Sequence, residues 1–260
     1  MGWLRGCAAN AIVVQTWETN MIVQACVNGA RPYGYDPQLP LTAEAIAIDA
    51  AACVSVGAAE LHIHPRGHDG RERLSSVDET IDAVRRICPG TLIGVSTGAW
   101  IEGEEKRTRD CIAEWRQLPD YASVNLSELD APAVIALLHS MGVGVEAGLA
   151  TVEDAVRFVA LPDWRRTLRI LIEIEEQDLE QADATADGIA QVLQNANVRR
   201  PILLHGVDAT VWHFVRRAFQ QRWSTRVGLE DGRQRANGET ASGNAGLISD
   251  AIRIFRPAPR

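Results

Sequence analysis

Eight times between residues 21 and 255 a short β-branched run is followed by a turn and then by a stretch with helical periodicity. That alternation restricts the chain to α/β folds built on a parallel sheet. The expected strands are 22–27, 60–64, 91–96, 121–126, 143–146, 168–174, 201–205 and 225–229. The expected helices are about 42–56, 76–87, 104–117, 131–141, 151–159, 183–195, 209–222 and 244–255. Thr42 and Ser76 read as N-caps, and Cys88-Pro89-Gly90 stops the second helix. Eight cycles in 260 residues is the length that one (β/α)8 barrel requires. A doubly wound open sheet is the competitor, but it wants a glycine-rich phosphate turn after the first strand, and Asn28-Gly29-Ala30-Arg31 is not GxGxxG. The expectation is a single-domain TIM barrel over 21–255, an N-terminal extension over 1–20 and a short tail over 256–260.

Net charge narrows the partners. At −8, with only dipeptide basic clusters such as Arg199-Arg200, the chain is not expected to bind nucleic acid or an anionic membrane. No apolar run approaches the ~20 residues needed to span a bilayer. Residues 6–14 are mildly apolar, yet Trp17, Glu18 and Thr19 follow without a small-residue cleavage pattern, so a signal peptide is not expected. Five scattered cysteines, Cys7, Cys26, Cys53, Cys88 and Cys111, offer neither CxxC spacing nor an even set, which suits a reducing cytoplasm.

In barrels of this kind, chemistry sits at the C-terminal ends of the strands. The second strand ends in His62-Ile63-His64, and its period of two puts both imidazoles on one face. Two neutral imidazoles are half of a divalent-metal site, of the Zn2+ kind in particular. The eighth strand ends in Gly228-Leu229-Glu230-Asp231. Strands two and eight flank strand one in a closed barrel, so Glu230 can complete a two-histidine, one-carboxylate set; an acidic cap on the next segment is its other reading. Arg226 shares the face of Glu230, and a guanidinium inside a barrel needs a partner, for which Asp231 is the nearest in sequence. Ser96, Asn125 and Glu146 stand at the ends of strands three, four and five, and Glu146 is expected to face the cation. Glu173 is read as facing the interior or as a salt-bridged rim residue, and His205 as a neighbour of the site.

Val27-Asn28-Gly29-Ala30, 61–64, 93–98, 122–125, Val145-Glu146 and 227–231 together resemble the β-keto acid cleavage enzymes, in family order along nearly the whole chain. The resemblance implies a metal-dependent retro-Claisen exchange in which a 3-oxo acid and acetyl-CoA give acetoacetate and a new acyl-CoA. It implies His62, His64 and Glu230 as the metal ligands. Arg226 and Asp231 map onto the family's catalytic pair, Ser96 onto its strand-three serine and Ser123 onto its strand-four threonine. Asn28, Arg31, Thr97, Gly98, Ser123 and Asn125 are the expected substrate contacts, and a homo-oligomer, dimer or tetramer, is expected.

Three departures stand out. Arg31 occupies a position where the aminohexanoate-cleaving members carry a glutamate, which predicts a substrate whose distal end is neutral or anionic. Glu175-Glu176-Gln177-Asp178 stands where the family has a GxPGG loop, and acids there would repel the phosphates of CoA. The chain is also shorter than typical members. A zinc-dependent hydrolase on the same barrel is therefore the second reading, and a binding barrel without chemistry the third.

Overall fold

The computed structural model describes residues 21–256; the expected extension over 1–20 and residues 257–260 of the tail lie outside them. Eight strands, β1 (Val23–Cys26), β2 (Glu60–Ile63), β3 (Leu92–Ser96), β4 (Tyr121–Asn125), β5 (Gly144–Leu149), β6 (Arg169–Ile174), β7 (Ile202–Gly206) and β8 (Thr225–Val227), alternate with eight α-helices. These are α1 (Ala43–Ser55), α2 (Val77–Ile87), α3 (Glu105–Ala113), α4 (Ala131–Met141), α5 (Val152–Ala160), α6 (Leu179–Asn195), α7 (Val211–Gln221) and α8 (Asn244–Phe255). The sheet is parallel in the order β7-β6-β5-β4-β3-β2-β1-β8. It closes where the amide of Leu204 donates to Ser224 O at 2.9 Å and that of Ser224 to Ile202 O at 3.0 Å. The molecule is a single-domain (β/α)8 barrel.

Strand periodicity sorts the side chains into two sets. Leu61, Ile63, Ile93, Val95, Val124, Val145, Ile170, Ile172 and Val227 are fully buried and join the hydrophobic core beneath the helices. Gln24, Glu60, Tyr121, Glu146 and Arg169 contact one another inside the barrel instead. Gly94 makes room for that interior layer, since a Cβ there would stand 2.0 Å from the Tyr121 ring. The helices start on local signals: the Thr42 hydroxyl accepts from the Ala45 amide, and Thr151 with Asp154 forms a complete capping box. No described helix is long and apolar enough to cross a membrane.

Several boundaries differ from expectation, helix α3 among them, which stops at Ala113 short of 117. A 3-10 turn over Leu74–Ser76 leads into α2, and Ser76 makes no side-chain cap. Helix α6 starts at Leu179 because the Asp178 carboxylate accepts from the amides of Glu180 and Gln181. Strand β8 ends at Val227, because a Cβ at Gly228 would meet the Cys26 carbonyl at 1.8 Å; glycine lets the chain turn against β1 there. Strand β5 runs on to Leu149, which leaves Glu146 three residues short of the strand end.

Candidate metal centre at the barrel mouth

His62 and His64, at the end of β2, bring their Nε2 atoms to 3.1 Å. Glu230, in the turn after β8, places Oε1 3.8 Å from His62 Nε2 and 3.5 Å from His64 Nε2. The turn is held from three sides. The Leu229 amide donates to Asn244 Oδ1 at 2.6 Å, Asn244 Nδ2 donates to Val27 O at 2.7 Å, and Arg31 Nε donates to Glu230 O at 2.8 Å. Gly29, at φ +55°, lies against the Glu230 side chain, where a Cβ would come within 2.3 Å of its Cγ.

The three donor atoms fit a divalent cation. Two ligands at about 2.0–2.1 Å on a tetrahedral ion stand roughly 3.3 Å apart, close to the spacing seen here. Glu230 Oε1 also accepts from Arg226, while Oε2 is buried with no hydrogen-bond partner among the described residues, which leaves the carboxylate with unused capacity for a cation. His64 Nδ1 is occupied by the Glu72 carboxylate, which turns Nε2 towards the site. The two imidazoles are shifted in opposite directions. Burial drives His62 down to about 3. It opposes charge on His64 too, but Glu230 and Glu72 outweigh it and lift that imidazole to about 9.

Beside this group lies a charge cluster centred on Arg226, which is 3% exposed. One guanidinium nitrogen donates to Glu173 Oε2 at 2.9 Å and to Glu230 Oε1 at 2.8 Å, and stands 3.6 Å from Asp231. Sequence proximity had paired Arg226 with Asp231; the hydrogen bonds go to Glu173 and Glu230, whose carboxylates point at the guanidinium. The nearest charged neighbour of Asp231 is His205 Nδ1 at 3.1 Å, and His205 Nε2 meets Glu173 at 3.0 Å. Burial and Arg226 oppose charge on His205, but Asp231 and Glu173 at its two nitrogens hold it above its ordinary value. Burial would raise Glu230, yet Arg226 and the two histidines hold it well below the carboxylate range. Three carboxylates converge on one guanidinium, an arrangement that a divalent cation beside Glu230 would help to stabilise.

A cavity of about 580 Å³ opens above these groups, lined by His62, His64, Ser96, Ser123, Asn125, Glu173, Arg226, Glu230 and Asp231, with Arg31, Trp100, Glu175 and Asp208 at its rim. The structure therefore gathers most of the expected site. Four expected residues are placed elsewhere. Glu146 pairs with Arg169 at 2.6 Å in the layer below, as its position within β5 dictates, and does not line the cavity. Asn28 accepts from the His64 amide at 2.9 Å and donates to His64 O at 2.8 Å, so both ends of its amide fasten β1 to β2. Thr97 is buried, donating to Ser123 O at 2.7 Å, and Gly98 lies beneath the Trp100 ring, where a Cβ would have no room. Arg31 does reach the cavity, but its guanidinium is paired with Asp208 at 2.9 Å and stacked on Tyr35 at 4.5 Å. Its charge is matched by a neighbour, which removes the basis for expecting it to repel an amine.

Sequence reasoning missed Glu72, Trp100 and Asp208. Glu72 and Trp100 reach the site through loops, where no periodicity points inward. Asp208 sits at φ +48° in a tight 3-10 turn after β7, and only a polar residue just past a strand end could have suggested it.

Fold and site together define a (β/α)8 barrel with a candidate metal centre at its C-terminal mouth. A family model described as beta-keto acid cleavage enzyme matches residues 20–191, and the chain belongs to that family. The 3-keto-5-aminohexanoate cleavage enzyme of Fusobacterium nucleatum is 34% identical over 84 residues, a stretch that is 30% of this chain and 30% of that protein. Its counterpart in Acetoanaerobium sticklandii is 32% identical over 81 residues, again 30% of each chain. Among solved structures, the ternary complex of ObcA with a C4-CoA adduct and oxalate superposes with a TM-score of 0.67 at 18% identity, covering 82% of this chain and 63% of that one. The 3-dehydroquinate dehydratase of Geobacillus kaustophilus HTA426 gives a TM-score of 0.61 at 13% identity, over 91% and 90% of the two chains. At such identities the structural likeness shows the fold.

Proposed function

We propose that this chain cleaves a 3-oxo acid by retro-Claisen acyl exchange, taking acetyl-CoA and releasing acetoacetate and a new acyl-CoA. The observation that carries the reading is the convergence of His62, His64 and Glu230 beside Arg226 and Asp231 in one cavity. Family membership supports it, as does the C4-CoA adduct in the ObcA complex. His62, His64 and Glu230 would hold a divalent ion, zinc by the chemistry of the donors, which would supply a Lewis acid to the 3-oxo and carboxylate oxygens of the substrate.

The protein's own groups then have distinct tasks. Asp231 is buried, and its oxygens accept no hydrogen bond among the described residues, so it can take the proton from C2 of the substrate. Arg226 and His205 balance the charge around Asp231 before and after that transfer. The Ser96 hydroxyl, which accepts from the Gly98 amide at 3.3 Å, keeps its own proton to donate to an oxyanion in the cavity. Ser123 and Asn125 complete the wall against which the substrate is positioned.

A zinc-dependent hydrolase is the second reading, favoured by one observation: Glu175, just past β6, lines the mouth with no basic partner among the described residues and would repel phosphates there. Incubating the zinc-loaded chain with a panel of 3-oxo acids, with and without acetyl-CoA, separates the two. Acyl exchange gives acetoacetate and a new acyl-CoA only when acetyl-CoA is present. Cleavage at equal rate without it would make the protein a hydrolase, and no turnover of any 3-oxo acid would refute both.

A further inference from the structure

The loop after β2 supports both sides of the candidate metal centre, and of its residues only Glu72 has been described so far, by its contact with His64 Nδ1. An isolated antiparallel bridge joins Arg66 to Glu72 at its base. The Arg66 guanidinium donates to Gly29 O, and Gly29 lies on the Glu230 side chain. From the same bridge, the Glu72 carboxylate contacts His64 Nδ1 through one oxygen. Its other oxygen accepts from Trp100 Nε1 at 3.0 Å. The Glu72 side chain is 10% exposed, whereas Trp100, from the loop after β3, is 52% exposed and forms part of the cavity wall.

The geometry points to Glu72 as the positioning residue for His64, with Trp100 fixing the Glu72 carboxylate, so that the cavity wall and the ligand form one mechanical unit. This rests on the metal-centre reading above. An imidazole has two edges, and a carboxylate on Nδ1 selects the tautomer whose Nε2 lone pair faces the ion. A carboxylate on a loop could swing away to solvent. The indole N–H prevents that by holding the second oxygen, and Gly98 lets the ring lie flat enough to reach it. A group that entered the cavity and moved the Trp100 ring would alter how firmly His64 is held.

The test uses the full chain and two metals alone, Zn2+ and Co2+. Affinity is measured by competition with a chelator, and the visible absorption of bound Co2+ reports ligand geometry. Glu72→Ala is expected to weaken binding roughly 10- to 100-fold and to change the Co2+ spectrum. Glu72→Gln, whose amide oxygen can still accept from Nδ1–H but whose NH2 cannot accept from the Trp100 indole, should weaken binding no more than roughly three- to tenfold and keep the Co2+ spectrum of the parent. Trp100→Phe, which removes one hydrogen bond to the carboxylate, should weaken binding roughly three- to tenfold. If Glu72→Ala lowered thermal stability of the ion-free chain, Glu72→Gln would still separate positioning from folding. A parent that binds neither metal would refute the metal-centre reading itself. A parent that binds, with Glu72→Ala within twofold and an unchanged Co2+ spectrum, would overturn the role of Glu72 alone.

Discussion

Single atoms decide whether the mouth of this barrel can hold an ion. Glu230 is the clearest case, because its carboxylate supplies the charge that the two neutral imidazoles lack. Glu230→Gln keeps the shape but loses that charge, and zinc affinity should fall about 100-fold or more. Chelator competition measures this; affinity within threefold of the parent would show that the carboxylate serves Arg226 instead. Gly29 acts from outside the donor set. Its left-handed φ costs an alanine about 1–2 kcal/mol, and a Cβ would collide with the Glu230 Cγ at 2.3 Å. Gly29→Ala should therefore lower the melting temperature and weaken zinc binding together. A drop in stability with metal affinity intact would mean that Glu230 can sidestep the new methyl.

At the scale of elements, Asn244 at the start of α8 ties three pieces together: the turn before Glu230, the end of β1 and Asp49 of α1, whose carboxylate it meets at 2.6 Å. Burial raises Asp49 from 3.8 to about 6, with Asn244 opposing only in part. The folded chain thus keeps this proton where the unfolded chain has lost it. Stability from this group is greatest below about pH 4, falls as pH rises to about 6, and is flat above that. Asp49→Asn retains the acceptor and removes the charge. It should be more stable than the parent by about 2 kcal/mol at pH 7 and nearly equal to it at pH 4, as urea titrations at both values would test. Equal stability at pH 7 would show that water already solvates the carboxylate.

The strands and their inward faces were legible because β-branched runs with period two have few other readings, and His62-x-His64 marked the mouth for the same reason. Depth was not legible. Glu146 was correctly read as inward-facing, but three further apolar residues extended β5 and sank it a layer below the cavity. Glu72 was invisible because it arrives through a bridge between Arg66 and itself, a tertiary fact without a periodic trace.

Across the whole molecule, the interior of the barrel divides into a mouth where three carboxylates surround Arg226 and a lower layer where two, Glu146 and Glu60, share Arg169. In that lower layer Arg169 pairs with Glu146 at 2.6 Å and with Glu60, and lies 4.7 Å from the Tyr121 ring centre. Glu146 is fully buried and Arg169 is 6% exposed, so neither charge can turn to water if the other is removed. Arg169→Met should destabilise the barrel by about 3–5 kcal/mol, because it strands a buried carboxylate. At roughly 2–4 °C per kcal/mol for a chain of this size, that is a melting shift of about 6–20 °C. Replacing both members, Glu146→Leu with Arg169→Met, removes the fully buried carboxylate and leaves only Glu60, whose side chain is 13% exposed, without its partner, so it should recover much of the loss although it changes more atoms. The same pair of variants tests what the layer is for. Because Glu146 does not line the cavity, the folded double variant should bind zinc as the parent does. If the double variant regained its stability but lost zinc affinity or turnover tenfold, Glu146 would belong to the chemistry after all, acting upward through Gln24 and Cys26 from beneath the site.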